Sequence, residues 1–221
     1  MTETDSPKRR RGRPSKNSSG SDKDQKQEIL AAAEKEFSEK GFDGASVSSI
    51  AKRAATAQPL INYYFESKAQ LWEAVIENIY EALQLALANP LEDEKDKLSV
   101  FQDLIRNFVL FSASRPSVAL IIASELRAPG PRLQFLGKNY ISGLERSIMQ
   151  LVSQAFGISP RDKRLKLLFP MILSTCAGPF LHQSYVTEQH KLDPTAPRQA
   201  KLYADMAVEL LTSGLKTLSG E

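Results

Sequence analysis

Apolar residues recur at three- and four-residue spacing from about Lys23 to Leu218, and no run alternates over strand length. That periodicity predicts an all-α fold. The longest uncharged apolar stretch, Val118 to Ala123, falls far short of the roughly 20 residues that a bilayer span requires. The first twenty residues are rich in Ser, Lys and Arg, with no apolar signal core. A cytoplasmic protein with no membrane partner is expected.

Reactive side chains are scarce. Cys176 is the single cysteine, and His182 and His190 are the two histidines. Neither an intramolecular disulfide nor a Cys/His metal cluster follows from such a set. No Gly-x-Ser-x-Gly elbow, Gly-rich phosphate loop or His-Glu-x-x-His pair occurs. The expectation is therefore no catalytic residue, no metal, no cofactor and no enzymatic activity. A helical enzyme or small-molecule carrier would need a constellation that these residues do not supply.

The formal charge of +3 is concentrated at one end. Residues 1–22 hold Lys8, Arg9, Arg10, Arg11, Arg13 and Lys16 against Glu3, Asp5 and Asp22, and the remaining residues balance at 23 of each sign. This Ser-, Pro- and Gly-rich stretch has too little apolar surface to fold, so residues 1–22 are expected to form a disordered basic arm. A cationic arm on a neutral body is an electrostatic footprint for nucleic acid. Within it, Arg11-Gly12-Arg13-Pro14 resembles the core of an AT-hook. Glycine lets the backbone approach a groove floor while Arg11 and Arg13 enter the enhanced negative potential of A·T-rich minor groove. A solubilising tail or non-specific phosphate binder is the simpler reading of the same residues.

The next segments fit a helix-turn-helix unit. A first helix spans about Lys23 to Lys40, with Gly41 as its left-handed cap and Phe42 folding back onto its last turn. Ser46 caps a short second helix through Val47, Ile50, Ala51 and Ala54. After a break at Ala55-Thr56, a third segment runs to about Phe65, and Ser67-Lys68-Ala69-Gln70 is a capping box opening a long fourth helix toward Pro90. On the third helix, Leu60, Ile61, Tyr64 and Phe65 share an inward arc, while Gln58, Pro59, Asn62 and Tyr63 face away. Pro59 falls in the first turn, where its missing N–H costs nothing. Gln and Asn read adenine bidentately in the major groove, and an apolar ring can meet a thymine methyl.

The stretch KQEILAAAEKEFSEKGFDGASVSSIAKRAATAQPLINYYFESKAQLWEAV resembles the N-terminal domain of the TetR/AcrR family of bacterial transcriptional regulators. The likeness lies in the Ile-Leu-Ala-Ala-Ala first helix, the Phe-x-Glu-Lys-Gly-Phe exit, Ser-Val-x-x-Ile-Ala, and Tyr-Tyr-Phe-x-Ser-Lys before the fourth helix. It implies an all-helical homodimer that places two recognition helices in successive major grooves of a palindromic operator. Carried onto this sequence, it makes Gln58, Pro59 and Asn62 base-contact candidates and Ser46, Tyr63, Tyr64 and Lys68 phosphate-contact candidates. The chain departs from the family at Ala55, where glycine is usual, at Ala57, where serine is usual, and at Asn62, where tyrosine is frequent. Thr56 is the candidate cap for the third helix in place of the missing serine.

The implied organisation is a basic arm over 1–22, a DNA-binding domain over 23–83 and a helical effector-binding and dimerisation domain over 84–221. Periodicity beyond Lys97 predicts five helices. The fifth stops before Arg115-Pro116, a short sixth ends near Arg127, and the seventh continues through Tyr140 to Gly157. Ser159-Pro160 is the predicted start of the eighth, which reaches about Tyr185 and is kinked or split by Pro170 and Pro179; the ninth spans about Thr195 to Leu218. The resemblance also implies a small-molecule effector pocket, for which Phe101, Arg106, Phe108, Phe111, Glu125, Tyr140, Met171, Cys176 and His182 are the candidate liners. A ligand-released repressor is the reading so reached. A weakly selective A·T-rich DNA binder led by the arm, and an activator, stand beside it.

Overall fold

The computed structural model describes residues 22–88, 96–127 and 129–220. Among them no strand occurs, and the chain runs as α1 (Asp22–Gly44), α2 (Val47–Arg53), α3 (Gln58–Tyr64), α4 (Lys68–Leu87), α5 (Lys97–Ser114), α6 (Pro116–Leu126), α7 (Pro131–Leu136), α8 (Ser142–Phe156), α9 (Leu165–Leu181), α10 (Gln183–His190) and α11 (Pro197–Ser219). A π-helical turn, Gly137–Ile141, joins α7 to α8.

The N-terminal caps follow the sequence closely. Gly41 (φ 67°, ψ 174°) breaks the helical run of α1, and the Phe42 ring then stacks on Phe37 at 5.9 Å. The Ser46 side chain accepts the Ser49 N–H, and the Ser49 hydroxyl reciprocates on the Ser46 backbone N–H. Ala55 stands at φ 49°, in the C′ position of a Schellman turn, where its N–H donates to Lys52 O and the Thr56 N–H to Ala51 O. Thr56 does not cap α3, in contrast to the sequence expectation. It is committed to closing α2, and Ala57 is the N-cap with no side-chain bond to give. At α4, Ser67 accepts the Gln70 N–H, but the Gln70 side chain turns to the Glu66 N–H instead of completing the box.

Two bends follow farther along, the first set by proline. Pro116 forces Arg115 out of helical geometry (φ −142°, ψ 66°), and α5 and α6 meet at 99°. Pro170 and Pro179 both lie inside α9, and the bend of 55° falls after them, at His182. The carbonyl that Pro179 deprives of its helical donor belongs to Thr175, and the Tyr203 hydroxyl of α11 donates to it instead. Burial pushes the Tyr203 phenol up to about 12. Ser159-Pro160 does not open α9: the Ser159 hydroxyl and carbonyl accept from Arg161 and Asp162 in a turn, and the helix starts at Leu165. Gly157 ends α8 in the left-handed region, as its position suggests.

Two apolar cores result. One gathers Ile29, Phe37, Ile50, Ile61, Trp72 and Ile79 with Phe111, Val118, Ile121 and Leu136, so it crosses from the first four helices into α5–α7. The other gathers Phe101, Ile105, Val152, Phe169, Ile172, Phe180 and the inner face of α11. Phe108, Ile141 and Leu144 touch both. No single helix among the described residues is long and apolar enough to cross a membrane.

Candidate nucleic-acid interface and cavity

The seven residues of α3 divide as their periodicity requires. Ile61 is buried, Leu60 and Tyr64 are half-buried, and Gln58, Pro59, Asn62 and Tyr63 are exposed, Tyr63 to 79%. Pro59 stands in the first turn. Neither the Gln58 nor the Asn62 side chain has a hydrogen-bond partner among the described residues, so both amides keep their donors and acceptors for a ligand.

The phosphate-contact candidates differ in how free they are. Ser46 is exposed, with its hydroxyl engaged by the Ser49 N–H and hydroxyl at 3.0 and 2.9 Å. Tyr64 turns inward, its oxygen 3.4 Å from the Asp22 carbonyl, where burial first and the Asp22 charge second raise its phenol above the ordinary value. Lys68 is half-buried: its Nζ donates to the carbonyls of Phe42 and Ala45 at 2.8 and 2.9 Å and sits 4.4 Å from the centre of the Phe42 ring. Two of its three N–H donors are thus committed to the fold. Arg11 and Arg13 lie outside the described residues.

A buried carboxylate ties α2 to α1. Glu36 of α1 accepts from Lys40 and from Arg53 Nε, the latter at 3.1 Å, while Arg53 also pairs with Glu39. The Lys40 hydrogen bond first, then the Ser49 hydroxyl and Arg53, hold its carboxyl at about 2 against the opposing effect of burial.

A cavity of about 310 Å³ lies at the seam of the two cores. Its walls are Ile76, Ile79, Tyr80 and Leu83 of α4, Phe108 of α5, Val118 and Ile122 of α6, Tyr140 and Leu144 around the π-turn, and Phe169 and Leu173 of α9. Phe108 and Tyr140 are the two candidate liners that the structure brings to it. The others lie elsewhere for identifiable reasons. Phe101 packs edge-on against Phe156 in the second core, and Phe111 is buried in the first. Arg106 bridges Asp103 and Asp205 between α5 and α11, and buried Glu125 pairs with Arg132 at 2.8 Å. Cys176 is fully buried, which pushes its thiol up to about 12. Met171 is 60% exposed on α9, and His182 is exposed at the α9–α10 bend.

The sequence reading missed Tyr80 and Arg127. Tyr80 was legible, because Ile76, Ile79, Tyr80 and Leu83 follow one helical stripe of α4. Arg127 carries no such signal.

Aromatic rings run from the cavity to the helix-turn-helix. Tyr140 lies 4.7 Å from Tyr80 and 5.8 Å from Phe135; Phe135 lies 5.9 Å from Trp72, and Trp72 lies 6.4 Å from Phe42. Phe42 also carries the Arg132 guanidinium at 4.2 Å, and its carbonyl holds Lys68.

Residues 29–75 match the family model described as bacterial regulatory proteins of the tetR family. Residues 96–218 match the C-terminal domain model of the HTH-type transcriptional dual regulator CecR. The chain is 30% identical over 154 residues to the HTH-type transcriptional repressor NicS of Pseudomonas putida, covering 67% of this chain and 72% of that protein. It is 27% identical to the nucleoid occlusion factor SlmA of Vibrio campbellii over 77% and 88% of the two chains. A TetR-like transcriptional regulator from Rhodococcus sp. RHA1 shares the fold with a TM-score of 0.65 at 18% identity, over 86% of this chain and 95% of its own. So does the regulator FadR of Bacillus subtilis in complex with stearoyl-CoA, with a TM-score of 0.61 at 21% identity over 85% and 98%.

Proposed function

The chain belongs to the TetR family of bacterial DNA-binding transcriptional regulators, and we propose that it is a homodimeric cytoplasmic repressor released from a palindromic operator by a small molecule. The observation that carries the release step is that one helix serves both sites. Lys68, at the start of α4, holds the carbonyls beside α2, while Tyr80 and Leu83, three to four turns on, wall the cavity. A ligand that favours one position of α4 over another shifts the α3 pair by the difference in its affinity for the two positions, and by nothing else.

Two further observations support the reading. Leu167 and Met171 on α9, and Leu202, Met206 and Leu210 on α11, are more than half exposed at one-turn intervals. Such a stripe suits the seam of a four-helix bundle with a second copy. A single seven-residue α3 reaches few base edges, so two copies across a palindrome supply the affinity one lacks. On this account Gln58, Pro59 and Asn62 meet bases, Ser46, Tyr63 and Lys68 meet phosphates, and Arg11 and Arg13 add minor-groove or phosphate contacts.

The test is selection of bound genomic fragments by the purified full chain, followed by footprinting. One protected palindrome, lost when a cavity ligand is added, supports the proposal. Protection spread over A·T-rich sequence that disappears on deleting residues 1–22 would instead establish the arm as the reader.

A further inference from the structure

The residues lining the cavity are apolar apart from Tyr80, Ser112, Tyr140 and Ser174 and one charged residue, Arg127. Arg127 follows the last residue of α6 and is exposed, so it stands at the rim. Arg53, Arg106, Arg115, Arg132 and Arg164 each hold a carboxylate. Arg127 holds none among the described residues, and neither do Arg146, Arg161 and Arg198, but of these four Arg127 alone lines the cavity. An arginine kept unpaired at the edge of an apolar cavity offers a planar fork of donors that matches a carboxylate. The wall around Tyr140 has the opposite character. Burial first, then the charges of Glu77, Glu73 and Glu81, raise its phenol above the ordinary value. A ligand's anionic end is thus better matched by the Arg127 rim than by the wall around Tyr140.

We propose that the effector is an apolar monocarboxylate, its carboxylate on Arg127 and its hydrocarbon body against Ile79, Leu83, Phe108, Ile122 and Leu173. This assignment rests on the ligand-release reading of the same cavity. The volume of about 310 Å³ lies at the small end of ligand sites, which suits a medium-length chain or a compact ring.

The test uses decanoate and decan-1-ol, which share a tail and differ in the charged end. Each is titrated into the full chain by calorimetry and by the fluorescence of Trp72, the single tryptophan, whose ring touches Phe135 beside Tyr140. Decanoate should bind at least about tenfold more tightly than the alcohol. Arg127→Gln should abolish that gap while leaving the alcohol's affinity unchanged, and Arg127→Lys should restore part of it. Equal binding of the two probes, binding of neither, or a gap that survives Arg127→Gln overturns the assignment. Displacement from a selected genomic fragment is measured alongside. Decanoate that binds through Arg127 yet leaves the protein on DNA upholds this site and removes the release reading. Release by the alcohol as readily as by the acid does the reverse.

Discussion

Arg115 grips Glu34 through two nitrogens: its Nε lies 2.8 and 3.0 Å from the two carboxylate oxygens, and its Nη2 donates both to Glu34 and, at 2.9 Å, to the Asn78 amide oxygen. The Ser117 hydroxyl donates to the same carboxylate. The α5–α6 bend is thus tied to α1 through the buried Glu34 carboxylate and to α4 through the Arg115–Asn78 hydrogen bond.

Arg115→Met leaves that carboxylate without its charge partner. Breaking a buried pair costs about 3–5 kcal/mol, whereas replacing both partners by apolar groups is close to neutral. Urea unfolding should show a large loss for Arg115→Met and most of it recovered in Glu34→Leu/Arg115→Met. Equal stability of the two variants would argue that the pair carries no coupling.

Glu36 predicts an acid limb. Its carboxyl titrates at about 2 in the fold against an ordinary 4.5, so the stability it contributes is complete above pH 4.5 and is lost as pH falls toward 2. At 1.36 kcal/mol per unit the loss is on the order of 3 kcal/mol at most. Glu36→Gln should be less stable than the parent at pH 7 and converge with it near pH 2, as read by denaturant titration across that range.

Ala55 adopts φ 49° in a position that suits glycine. The left-handed region costs a non-glycine residue about 1–2 kcal/mol, partly offset by the greater unfolded-state entropy of glycine. Ala55→Gly should raise the unfolding free energy by up to about 1 kcal/mol. A decrease would mean that the α2–α3 turn relaxes once the methyl is gone.

The apolar stripe on α9 and α11 predicts an association defect. Met171 and Met206 are exposed by 60% and 51%. Placing glutamates at both sets like charges into an apolar seam while sparing the monomer's core. Sedimentation of Met171→Glu/Met206→Glu should give a monomer, with affinity for a selected DNA fragment lower by at least about tenfold.

The local signals were the legible part of the sequence. Gly41, Ser46, Pro59, Ser67 and Gly157 each sit where their backbone or capping chemistry is needed, and the α3 wheel separated its exposed and buried arcs correctly. Ser159-Pro160 misled because the same hydroxyl that caps a helix also closes a short turn, and nothing local distinguishes the two. Thr56 misled because its backbone was already engaged in ending α2. The cavity was least legible, since an aromatic at helical spacing such as Phe101 packs a core unless tertiary structure leaves space beside it. The π-turn that carries Tyr140, and the Tyr203 hydroxyl replacing the donor lost at Pro179, are likewise tertiary outcomes.

The central claim is that the outward face of α3 reads sequence, and competition binding on the Gln58→Ala/Asn62→Ala variant tests it most directly. Each bidentate amide–adenine contact is worth about 1–3 kcal/mol of discrimination. The variant should therefore lose at least about tenfold in its preference for the selected palindrome over a scrambled duplex, with its affinity for the scrambled duplex and its unfolding curve unchanged. An undiminished preference would contradict the account.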